Sequence, residues 1–213
     1  MFESIFLLTF VLSQVFFFLA TGRKASIFLF ILPWSILTGI LAFYGFFSNT
    51  VARPPRFTLV FIGSILLCVV LIRLMRYDKI NVNYLLSVHV MRIPVELVLY
   101  QQYLMGKVPE LMTFAGWNFD IIMGISALLL LIYKMVTGKE IGNRFLLWWN
   151  GIGILFLTSI VAMAVLASPT PIQLLAFHQP NVAVLEFPYV WLPSVIVPIV
   201  FMAHWFGIKV INF

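Results

Sequence analysis

Seven apolar runs of about 18 to 26 residues fill this chain almost end to end, long enough to cross a bilayer each. Short turns between them hold most of the arginines and lysines. A segment this apolar has to satisfy its own backbone hydrogen bonds once water is excluded, which leaves helices or a closed barrel. The runs are continuous rather than alternating, so they read as helices and not as barrel strands. The charged fraction agrees: 9%, against about 25% in soluble domains. At 213 residues the chain has no room for a soluble domain beside seven spans.

The expected fold is therefore all-α, a polytopic transmembrane helical bundle in one domain covering 1–213. Its spans are expected at about 4–21, 26–47, 57–74, 80–105, 119–136, 145–167 and 188–209. Glu3 precedes the first run and Arg23-Lys24 follow it, the reverse of a cleaved signal peptide, so this helix is expected to be retained. Pro33 and Pro94 should kink the second and fourth spans, and Pro193 with Pro198 should make the seventh irregular. The connection 168–187 is too apolar for a free loop and is expected to lie on the membrane or re-enter the protein.

Basic residues set the orientation. Arg23, Lys24, Arg73, Arg76, Lys79, Lys134, Lys139, Arg144 and Lys209 fall on one side, and Arg53, Arg56 and Lys107 on the other. The richer side is expected to be cytoplasmic, giving N-out and C-in. The net charge of +6 thus reads as topology in contact with a lipid bilayer, with no nucleic acid as partner. Cys68 is the only cysteine and sits in an apolar run, where it reads as a small buried hydrophobe.

One span departs from this pattern. His89, Arg92, Glu96, Tyr100 and Tyr103 lie within an arc of roughly 80° on the fourth helix. Ionisable groups at bilayer depth cost about 2.5–3.5 kcal/mol each and must face protein or water. Arg92 and Glu96, four residues apart, are expected to pair within the helix. Counted at about 1.5 Å per residue from the cytoplasmic ends, His89, Asn150 and His204 reach similar depths. The expected ligand-binding set is therefore His89, Arg92, Glu96, Tyr100, Asn150 and His204. Two histidines on separate helices also suit axial ligation of a haem or, with Glu96, a metal. No metal is assigned, and the cofactor is left open. Asn118, Asp120, His178, Asn181, Glu186 and Tyr189 form a second expected cluster towards the outer side, as a pocket or gate.

No Walker loop, Gly-x-Ser-x-Gly or His-Glu-x-x-His motif occurs. The strings Arg92-Ile-Pro-Val-Glu96, Thr113-Phe-Ala-Gly-Trp-Asn118-Phe-Asp120, Pro169-Thr-Pro171 and Val190-Trp191-Leu-Pro193, with the late His204, carry one likeness. Over about 90–205 the chain resembles a family of uncharacterised bacterial multi-pass membrane proteins. The resemblance implies the cytoplasmic (inner) membrane and no particular activity.

Three functions fit these residues. The first is binding or transport of a small polar or anionic solute. There Arg92 would be the anion partner, Glu96 the counter-ion and proton carrier, and 168–187 the gate. The second is a non-catalytic subunit whose stripe packs on a membrane-protein partner or a second copy. The third is a membrane redox or lipid-modifying enzyme using His89 and His204 as ligands or as acid and base.

Overall fold

The structure, a computed structural model, describes residues 1–50 and 52–211. They form eight α-helices: α1 (Phe2–Ala20), α2 (Ala25–Phe43), α3 (Thr58–Leu74), α4 (Val82–Val90), α5 (Arg92–Leu104), α6 (Asp120–Thr137), α7 (Asn143–Ala167) and α8 (Val197–Ile211). Among the described residues there is no strand. Taking α4 with α5 as one rod and α8 with the turn before it as another, six rods are long and apolar enough to cross a membrane. The seventh, α3, is equally apolar but has 17 residues.

Successive rods run in opposite directions. A bond from the backbone N–H of Asn81 to the carbonyl of Ala20 (2.8 Å) ties the end of α1 to the start of α4. One face of the bundle is accordingly called the Asn81 end and the other the Leu104 end. The last rod is the axis of the structure: α8 packs on α1, α3, α4 and α7. Its residues Ile199, Val200, Met202, Ala203, Phe206 and Gly207 are all buried. Large apolar side chains such as Leu29, Leu59, Ile122 and Leu155 point outwards instead. That reversal of the usual globular pattern suits a hydrocarbon surrounding.

The fourth rod is interrupted at Met91, three residues before Pro94. Proline lacks an N–H and cannot donate to the carbonyl four residues back, here that of Val90. The α-helical ladder stops one turn early, and the N–H of Met91 closes a tighter bond to Val88 (3.2 Å). Arg92 thereby becomes the first residue of a new helix.

The seventh rod opens with a π-helical turn, Leu192–Ile196. Pro198 leaves the carbonyl of Ser194 without its in-helix donor. The indole of Trp34 in α2 donates to that carbonyl at 2.9 Å, and the hydroxyl of Ser64 in α3 reaches the neighbouring carbonyl of Pro193 at 3.2 Å. The irregularity expected from the two prolines is thus met by donors on two other helices.

The segment 168–187 folds back over the Leu104 end. Its backbone N–H groups at Leu174 and Asn181 donate to Leu166 and Ala167 at the end of α7, both at 2.9 Å. Those of Val182 and Ala183 donate to Lys107. Gln179 adds bonds to the carbonyls of Tyr103 (2.9 Å) and Val108 (2.6 Å), and Lys107 pairs with Glu186 at 2.6 Å. Ala183, Val184 and Leu185 are buried, while Ile172, Leu174 and Phe177 stay exposed.

Candidate functional site

Four ionisable side chains meet in the middle of the bundle. His89 is 1% exposed, Arg92 3%, Glu96 2% and His204 0%. Arg92 does not pair with Glu96. Beginning a fresh helix after the break at Met91, it turns its guanidinium sideways and forms an ion pair with Asp120 in the first turn of α6. The spacing rule compares partners on one helix only, whereas a carboxylate on the adjacent helix competes successfully here. Another guanidinium nitrogen donates to Nε2 of His204, 3.0 Å away.

Glu96 binds Asn118 instead: Nδ2 of Asn118 donates to its Oε1 at 2.7 Å and to the carbonyl of Met112 at 3.1 Å. Oδ1 of Asn118 accepts from the backbone N–H of Asp120 (3.0 Å), so the same side chain also holds the first residue of α6. The second oxygen of Glu96, Oε2, has no hydrogen-bond partner. A buried carboxyl oxygen left alone is costly.

The histidines form the other half of the cluster. Guanidinium nitrogens only donate, so Nε2 of His204 must accept and the proton of its neutral ring sits on Nδ1. From there it donates to Oδ1 of Asn150 at 2.9 Å, and Nδ2 of Asn150 donates onward to the carbonyl of Leu146 at 2.8 Å. His89 lies flat on His204, with 3.8 Å between ring centroids and 26° between planes. The edge of Trp149 closes the stack at 5.1 Å, and its own indole donates to Ser126 at 3.0 Å. Neither ring nitrogen of His89 has a partner.

Two glycines make the packing feasible. A side chain at Gly153 would overlap the imidazole of His204, and a Cβ at Gly207 would stand 2.7 Å from the amide of Asn150. Small residues at helix contacts let buried helices approach this closely.

Stacked rings at this separation leave no room for a macrocycle between them, so His89 and His204 do not fit axial ligation of one haem. Among the described residues no group of three His, Cys, Asp or Glu side chains converges as a metal set.

A cavity of about 520 Å³ lies beside the cluster. α3 and α7 each pack on α8 and leave this gap between them. Phe61, Ile65 and Val69 line its rim and are themselves exposed on the apolar belt, so the mouth opens sideways. Leu157, Val161, Ala164, Val197 and Phe201 make most of its wall apolar. Its polar lining includes Glu96, Asn118 and Asp120, with Asn181 and Ser168 from the folded-back segment and Ser64 and Thr158 from α3 and α7. A separate void of about 10 Å³ sits nearer the Asn81 end, bordered by Val82, His89, Trp149, Asn150 and Gly207.

The expected residues are thus redistributed. His89, Arg92, Glu96, Asn150 and His204 converge, and Asn118 and Asp120 join them instead of forming an outer cluster. Asn181 roofs the cavity. Tyr100 stacks on Phe114 (4.8 Å) away from the ionisable groups, Tyr189 packs on Phe6 (5.1 Å), and Glu186 is taken by Lys107. His178 is exposed. Ser126, Trp149, Gly153 and Gly207 were not foreseen. The one signal among them is that Gly153 and Gly207 are small residues on the helices that carry Asn150 and His204.

Residues 54–211 match a family described as a domain of unknown function (DUF8737). No match was found among curated proteins or among solved structures. The matched region contains every member of the buried cluster, while α1 and α2 precede it.

Proposed function

The chain belongs to the DUF8737 family, and we propose that it is a seven-span inner-membrane protein that binds an amphiphile with an apolar chain and a cationic head. The side cavity carries this reading. Its volume falls in the range of small-molecule sites, about 300–1,000 Å³, and its wall is hydrocarbon-like. Its lining includes a carboxyl group whose second oxygen has no partner. The sideways mouth favours a ligand that already resides in the bilayer.

Charge selects the head group. Arg92 is matched by Asp120, and Glu96 is left as the unmatched acid. A cation at Glu96 neutralises the site, whereas an anion would face two carboxylates. This reverses the anionic solute suggested by Arg92 alone, because two of the guanidinium nitrogens are engaged by Asp120 and His204 and Arg92 does not line the cavity. The nine basic residues at the Asn81 end, against three at the other, support an N-out, C-in orientation.

The test uses protein in phosphatidylcholine nanodiscs and three brominated alkyl probes, an amine, an alcohol and a carboxylate, read by tryptophan quenching. Trp205 lines the cavity and reports occupancy. The amine should bind, Glu96→Gln should weaken it at least tenfold, about 1.4 kcal/mol, and Ala164→Phe should block the chain. Equal binding of the carboxylate, or binding indifferent to both substitutions, would overturn the reading.

A further inference from the structure

Resting on that reading, we infer a second activity of the same site: exchange of the cationic amphiphile against a proton, with Nε2 of His204 as the contested atom. Nε2 offers one lone pair, and Arg92 occupies it at 3.0 Å. A guanidinium does not give up its proton. A proton on Nε2 therefore removes the acceptor and sets two cations at hydrogen-bonding distance. Arg92 and the proton exclude each other there.

The displaced guanidinium has two carboxylates within reach. Asp120 already holds it, and Glu96 lies one turn further along the same helix. Both line the cavity at the point where the head group would bind. Protonation of His204 thus drives the positive charge of Arg92 onto the carboxylates that hold the ligand, and the ligand leaves.

The charges balance. Arg92, Asp120 and Glu96 sum to one negative charge, which either an ammonium head or one proton on the histidine pair cancels. Stacked at 3.8 Å, the two imidazoles accept one proton and resist a second. The proton has its own entrance. His89 borders the small void near the Asn81 end, which has space for a single water. In the exchange an O–H bond of a hydronium breaks and an N–H bond forms at Nε2 of His204 as Arg92 leaves it. The hydrogen bond from Arg92 to His204 is then replaced by one to Glu96.

The charged and titratable groups facing His204 are Arg92 of α5 and His89 of α4, with Asp120 of α6 and Glu96 behind the guanidinium. α7 presents only Asn150, Trp149 and Gly153 to it. Cys68 of α3 and Tyr77 meet α8 elsewhere, at the carbonyl of Pro198 and the ring of Phe206.

A brominated alkyl trimethylammonium, which cannot titrate, tests the exchange in the same nanodiscs. Between about pH 8 and pH 4, wild-type affinity should fall about tenfold per pH unit once the histidine pair begins to protonate. His204→Gln should bind with a flat profile. A flat wild-type profile, or an acid limb unchanged in His204→Gln, would overturn the exchange and leave the amphiphile site standing. Absence of binding at every pH would overturn both. Should His204→Gln fail to fold, 15N-histidine spectra of the wild type decide, since the chain has 3 histidines. His204 should be neutral with its proton on Nδ1 while the probe is bound, and should become protonated as the probe is released. Release with His204 still neutral would overturn the proposal.

Discussion

Gly153 of α7 stands directly against the imidazole of His204 in α8, so close that any side chain at that position would occupy the ring's own space. The ring cannot step aside, because His89 lies on one face, Trp149 beside it, and Arg92 and Asn150 hold its two nitrogens. Gly153→Ala should therefore cost about 1–3 kcal/mol by overpacking. Thermal unfolding in detergent should show a clear loss of stability. A variant as stable as the wild type would mean that α7 and α8 are free to separate.

Asp120 is the sole charge that balances Arg92 by direct contact. Asp120→Asn should leave a buried, unmatched guanidinium and destabilise by about 3–5 kcal/mol. Replacing both, Arg92→Met with Asp120→Leu, should recover much of that loss, since no charge then remains to be compensated. Equal stability of Asp120→Asn and the wild type in denaturant titration would contradict the assignment of the pair.

The bond from Trp34 to the Ser194 carbonyl predicts a conditional effect. Trp34→Phe removes the shorter of that carbonyl's two side-chain donors, leaving Ser64 Oγ at 3.4 Å, and should cost about 0.5–1.5 kcal/mol, the net worth of one hydrogen bond. In a Pro198→Ala background residue 198 regains an N–H that can serve that carbonyl, so the same Trp34→Phe change should cost less. Additive losses in the double-mutant cycle would refute the link between Pro198 and Trp34.

Gln179 fastens the folded-back segment through the carbonyls of Tyr103 and Val108. Gln179→Ala should loosen that seam without unfolding the bundle. Hydrogen exchange at the N–H groups of Val182 and Ala183, which donate to Lys107, should accelerate several-fold while the helices keep their protection. The Lys107–Glu186 pair is partly exposed and should matter less, about 0–1 kcal/mol. Exchange unchanged in Gln179→Ala would show that the segment is held elsewhere.

Much of the buried cluster was readable because the bilayer makes ionisable residues conspicuous. His89, Arg92 and Glu96 stood out inside an apolar run, and counting residues from the helix ends put Asn150 and His204 at a matching depth. Asn118 and Asp120 were expected towards the outer side because they open a span. That order takes each helix to start at the surface, whereas α5 continues past Glu96 to Leu104 and the connection 105–119 leads back to Glu96. Val108, Met112 and Thr113 are buried within it, and α6 begins beside Glu96. Tyr100 shares the arc of the stripe but meets Phe114 of that returning connection. Nothing in the local pattern of His178 signalled that it would remain at the surface.

Trp34 also bears on how the chain is assembled. During synthesis α1 and α2 leave the ribosome before α8, and N-terminal parts generally form first. The last helix arrives with a carbonyl its own backbone cannot serve, and the indole able to serve it has by then been waiting in α2. Without α2 that carbonyl would keep only the longer bond from Ser64 of α3, at 3.4 Å. The hairpin thus offers a docking template for a helix made later, and its loss should be felt first in the seating of α8.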